Sequence, residues 1–209
     1  LLLMITISLS NVFSMEHFGK TDAIILCSQY GKKQLYLAKI LAGITFGAVT
    51  AIILFGVSAV SSIAIYGADG FHTALQIAFP MSSWTMSIGG AVLVLLFILI
   101  LVSVLYSIVI MFLSEALKNS VAVMAIPVGI MILTMLVDIP YQFRLVSQIY
   151  DLLPTNLLTA WELWDDRLVS VFGKYLTNFQ IAPIIYCVTA ALLFFVGKRI
   201  YERYQIGAR

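Results

Sequence analysis

The stretch Ser14-Met15-Glu16-His17-Phe18-Gly19-Lys20-Thr21 holds the chain's closest approach to a chemical motif, because it ends in Gly-Lys-Thr. In a phosphate-binding loop that ending supplies backbone amides and a lysine for the phosphates and a hydroxyl for Mg²⁺. The full pattern also requires a glycine five residues before the second glycine, where this chain has Ser14. The loop must follow a buried strand, and here the preceding residues are a continuous apolar run. The stretch is therefore not read as a nucleotide site. The chain is expected to be no enzyme by itself and to carry no cofactor.

Other constellations are equally unpromising. The only two histidines, His17 and His72, are far apart in the chain, and no Gly-x-Ser-x-Gly occurs. Cys27 lies in a charged connection and Cys187 in a late apolar run, so no disulfide is expected. Lys39, Glu115 and Asp138 fall at the ends of apolar segments, with no charge read deep within one. Ion-coupled carriers usually need such buried groups.

The elements that must position these residues are membrane helices. Between Asp69 and Glu115 there is no Asp, Glu, Lys or Arg. A helix rises about 1.5 Å per residue, so roughly 20 apolar residues cross a hydrocarbon core of about 30 Å. Hydrophobic residues make up 62% of the chain and charged residues 11%, which excludes an ordinary soluble domain. The apolar runs do not alternate with polar residues, which argues against a spanning barrel. A net charge of +2 gives no case for nucleic acid as a partner. The expected fold is an all-α, polytopic membrane helix bundle and a single domain over residues 1–209. Its spans are read at about 1–15, 40–66, 89–113, 121–137 and 180–196. The opening Leu1-Leu2-Leu3 has no basic leader region and reads as a span entered partway, so the N-terminal part is expected to be missing and the five spans to belong to six.

Basic residues orient the spans. Lys20, Lys32, Lys33, Lys39, Lys118, Lys198, Arg199, Arg203 and Arg209 all fall on one face if the five segments alternate. The other face keeps only Arg144, Arg167 and Lys174, with Asp69, Asp138, Asp151, Glu162, Asp165 and Asp166. The basic face, with the C-terminus, is read as cytoplasmic. Residues 68–88 and 138–178 become outer loops. Within the second, 146–164 reads as two short amphipathic helices broken by Pro154, with Trp161 and Trp164 suited to headgroups. Either an interfacial loop or a re-entrant element lining a pathway fits that pattern. Pro127 and Pro183 fall inside spans and should kink them. Gly43, Gly47 and Ala51 share a helix face, suited to close packing either within one chain or between subunits.

The remaining signal is the first cytoplasmic connection, residues 16–39. Thr21 or Asp22 can cap a short helix that runs through Ser28 and ends at Gly31, and Lys32 leads into the next span. By spacing alone this is either an amphipathic helix across the mouth between two spans or a plain loop decorated with positive charge.

The run Glu16, Gly19, Asp22, Ile24-Ile25-Leu26, Ser28, Tyr30-Gly31-Lys32-Lys33 and Ala38-Lys39 resembles the segment after the second span of type-2 ABC transporter permeases, especially Gram-positive ones. The five spans resemble that family's second to sixth. The resemblance implies the permease subunit of an ATP-driven exporter in a bacterial plasma membrane. It implies two kinds of partner besides the lipid bilayer: an ATP-binding cassette subunit and a second permease subunit, identical or different. It also implies that Glu16, Gly19, Asp22, Ser28, Gly31, Lys32, Lys33 and Lys39 form the coupling element on which the ATP-binding subunits push. The competing readings are a secondary transporter and a non-transporting membrane scaffold or immunity protein.

Overall fold

The computed structural model describes residues 1–19, 33–80, 82, 84–137, 139–140, 142–159, 168–171 and 174–203. These are mostly helical. In chain order the helices are α1 (Leu2–Leu9), α2 (Asn11–Phe18), α3 (Lys33–Tyr66), α4 (Ile88–Leu117), α5 (Ser120–Leu136), α6 (Arg144–Asp151), α7 (Pro154–Leu157) and α8 (Asn178–Arg203). Four of the five apolar segments of the sequence fall in single helices, the fourth to within one residue, and residues 1–15 run through α1, Ser10 and part of α2. Three stretches, Gln34–Tyr66, Ile88–Leu117 and Gln180–Tyr201, are long and apolar enough to cross a membrane. Leu2–Glu16 and Ser120–Leu136 are apolar but shorter. The chain is thus a membrane protein with three helices of spanning length.

The expectation of an all-α chain needs one correction. Strands β1 (Leu168–Val171) and β2 (Lys174–Thr177) form an antiparallel hairpin with Val169 opposite Leu176 and Ser170 opposite Tyr175. Val169, Val171, Tyr175 and Thr177 are β-branched or aromatic, the types that favour a pleated strand over a helix.

The chain divides into two compact units, residues 1–49, 103–132 and 187–209 forming one and residues 50–102 and 133–186 the other. The first unit is packed around small and hydroxyl-bearing residues. A side chain at Gly43 would run into Met111, and one at Gly47 would run into Ser107 and stand 3.0 Å from the Ser103 carbonyl oxygen. The small-residue face of α3 is therefore filled by α4 of the same chain. The close approach of α8 is similar: a Cβ on Gly197 would lie 2.6 Å from the Tyr36 hydroxyl. Tyr106 of α4 sits with its hydroxyl 2.9 Å from Thr6 of α1 and 3.6 Å from the Met131 sulfur of α5. After α4 the chain turns through Lys118 at φ 53°, and Asn119 caps α5 by accepting from the Val121 amide at 3.1 Å.

In the second unit, α3 ends on Gly67 at φ 79°, whose amide bonds the Ile63 carbonyl at 2.9 Å. Single-turn 3-10 helices at Asp69–His72 and Leu75–Ile77 follow, tied to the start of α4 by Leu75 N–H to Met86 O and Ile88 N–H to Thr73 O, both 2.9 Å. Pro154 opens α7 and separates it from α6, as its missing amide dictates. The Tyr150 hydroxyl is shared between the carbonyls of Thr134 and Val137, and Asn156 donates to the Tyr150 carbonyl at 2.9 Å. Tyr186 of α8 donates to the Leu152 carbonyl at 2.7 Å. Trp161 and Trp164, read as interfacial anchors, lie outside the described residues.

Candidate functional site

Two of the residues read as coupling positions meet in one contact. Glu16, near the end of α2, meets Lys39, six residues into α3, at 2.5 Å. The side chains are 19% and 15% exposed, so the pair is mostly withdrawn from solvent. Lys39 also donates to the Val12 carbonyl at 3.0 Å and stands 4.5 Å above the centre of the Phe13 ring. One ammonium thus binds α2 by a carboxylate, a backbone carbonyl and an aromatic face. Charge–carboxylate and cation–π attraction are both strengthened when water is excluded. The two ends of the 16–39 segment are held together by that one side chain.

An aromatic cluster surrounds the pair. Phe13 lies 5.8 Å from both Tyr36 and Tyr201, and Tyr36 lies 5.4 Å from Tyr201 and 5.9 Å from Phe194. Tyr36 donates to the Phe194 carbonyl at 3.2 Å. The cluster joins α2, the start of α3 and the end of α8. Glu115 of α4 is 2% exposed and lies within electrostatic reach of Lys118, Lys39 and Glu16. Charge of both signs is therefore gathered where four helices meet.

The α1–α2 break is the other built feature. Ser10 interrupts the helix, and Ser114 of α4 reaches into the interruption. Its hydroxyl donates to the Ser10 carbonyl at 2.8 Å and accepts from the amides of Phe13 at 3.2 Å and Ser14 at 3.1 Å. Ser10, Ser14 and Ser114 are all buried.

Of the eight residues read as coupling positions, Glu16 and Lys39 are brought into contact. Gly19 closes the last turn of α2 with its amide on the Met15 carbonyl at 2.9 Å. Lys33 is the first residue of α3, with its side chain outside the described residues. Asp22, Ser28, Gly31 and Lys32 lie outside the described residues. Sequence reasoning assigned no role to Ser114, Glu115, Tyr36 or Tyr201. A signal for the serine contacts was present in the spacing of Thr6, Ser10 and Ser14, which puts three hydroxyls on one face of an otherwise apolar helix. No group of three or more metal-ligating side chains occurs among the described residues. The arrangement suits holding a segment of chain, since its contacts are ionic and backbone contacts between helices. Comparisons with family models, curated proteins and solved structures returned no match.

Proposed function

We propose that the chain is the membrane-spanning permease subunit of an ATP-driven ABC transporter working as an exporter, with ATP hydrolysed in a separate subunit. The observation that carries this reading is the Glu16–Lys39 pair. A segment that receives a push from a partner must be attached to the spans stiffly, or the push is absorbed in the loop. Closure of the neck by an ion pair, with Lys39 rooted in a 34-residue helix, provides that stiffness. The resemblance of residues 16–39 to the coupling segment of type-2 permeases supplies the identity of the partner.

In this reading the five apolar segments cross a bacterial plasma membrane and the C-terminus is cytoplasmic. The shorter helix α5, with 17 residues, measures about 26 Å along its axis, close to the hydrocarbon thickness. Two permease subunits and two ATP-binding subunits make the working assembly.

The test is reconstitution with an ATP-binding subunit encoded beside this chain, comparing wild type with a Lys32→Glu, Lys33→Glu double variant. The expected result is normal insertion with a fall of about fivefold or more in transport per ATP hydrolysed, the lower end of common coupling energies. Absence of any ATP-binding subunit that co-purifies would remove the proposal in favour of a secondary carrier or a scaffold.

A further inference from the structure

In a continuous α-helix the amides of Phe13 and Ser14 would bond the carbonyls of Leu9 and Ser10. Here both amides bond the Ser114 hydroxyl, and the Ser10 carbonyl accepts from Ser114 and from the Ser14 hydroxyl, at 2.8 and 2.9 Å. A side chain inserted in the ladder is a recognised cause of a helix bend. What is unusual is its origin: the inserted group comes from a different helix, 100 residues further along the chain. One hydroxyl thus serves two backbone donors and one backbone acceptor at the break. It also ties the start of α2 to α4.

The two fixings of α2 have different characters. At Ser10 the contact is between one short hydroxyl of α4 and the backbone of Ser10, Phe13 and Ser14. At Glu16 and Val12 the contact is with the long Lys39 side chain of α3. Ser114 directly precedes the buried Glu115, which lies in the electrostatic field of that same Lys39. Rotation or sliding of α4 therefore displaces the pivot and the charge facing the latch together.

We propose that Ser114 is a positioning residue: its hydroxyl is the pivot that makes residues 11–18 a separately hinged arm, linking the 16–39 segment to movement of α4. The transport side of this assignment rests on the permease reading, whereas the pivot itself does not.

The experiment measures spin-label distances in the full chain in lipid nanodiscs, without any ATP-binding partner. Labels are placed by Met15→Cys and Val121→Cys, both at exposed positions of one unit, with Cys27 and Cys187 replaced by serine. Ser114→Ala removes the hydroxyl and lets the two amides rejoin the carbonyls of Leu9 and Ser10. The distance distribution is expected to shift or broaden beyond repeat error, and Ser114→Thr, which keeps a hydroxyl, is expected to restore the wild-type distribution. An unchanged distribution in Ser114→Ala, or an equal change in both variants, overturns the pivot. Should Ser114→Ala fail to accumulate, Ser114→Thr decides by itself, and a distribution unlike wild type overturns the proposal. Transport per ATP is then measured in the assembled complex. A shifted distance together with lowered coupling supports both assignments, and a shifted distance in a protein that recruits no ATP-binding subunit keeps the pivot while removing the permease.

Discussion

Lys39 concentrates the consequences of single-residue change. Its Glu16 contact is mostly shielded, and removing one member of a shielded pair takes a counter-ion from the other. Such one-sided removal costs about 3–5 kcal/mol in a fully buried setting. The residual exposure here puts Lys39→Met and Glu16→Gln nearer the lower end. Replacing both should cost clearly less than the sum of the two, by a coupling energy of about 1 kcal/mol or more. Thermal unfolding of the four proteins in one detergent measures that cycle. Strict additivity would show that the pair is incidental. Glu16 and Lys39 could be named from sequence because they flank a charged connection. Their meeting could not, since it depends on how α2 returns against α3 after 22 intervening residues. Ser114 illustrates the opposite limit: a serine in an apolar run says nothing of which backbone it will reach.

Helix α3 approaches α4 closely at two glycines. The chemistry of the two facing positions differs. At Gly47 an added methyl group meets the Ser103 carbonyl, which is backbone, along with the short Ser107 side chain. At Gly43 it meets Met111, a flexible side chain that can turn aside. At Gly56, farther along α3, nothing lies within 4 Å. Gly47→Ala should therefore destabilise by about 1–3 kcal/mol, the usual cost of overpacking. Gly43→Ala should cost less, and Gly56→Ala should be neutral or stabilise by up to about 1 kcal/mol through helix propensity. Unfolding midpoints of the three variants should fall in that order; equal midpoints would contradict the packing described. The small-residue spacing was legible in the sequence, whereas its partner was not. Helix α6 carries a similar lesson. Val146 and Ile149 face outward while Ser147 and Asp151 are buried. That is the reverse of a helix in water and suits an element whose outer face meets lipid. The hairpin at Leu168–Val171 and Lys174–Thr177 was missed because its strands are four residues long, too short for alternation to declare itself beside long apolar runs.

For the whole molecule, the question is how often the chain crosses the bilayer. Three helices have the length to do so unaided, and five crossings are what the proposed function requires. A reporter fused after Arg209 should be cytoplasmic and one inserted at Asp166 external, because nine of the 12 basic residues then share the inner face. Both reporters on one side would sink the five-crossing topology. Composition and charge spacing alone determined that this is a helical membrane protein and where its long helices run, since burial in lipid leaves a continuous, local record in the chain. The sequence also marked residues 16–39 as the place to look for a partner. Only the tertiary structure decided that the small face of α3 is spent on α4, that Glu16 closes onto Lys39, and that a hydroxyl from α4 bonds the backbone where the first helix is interrupted. Each of these joins residues distant in the chain, and a contact of that kind depends on the angle at which two helices meet, which no local pattern encodes.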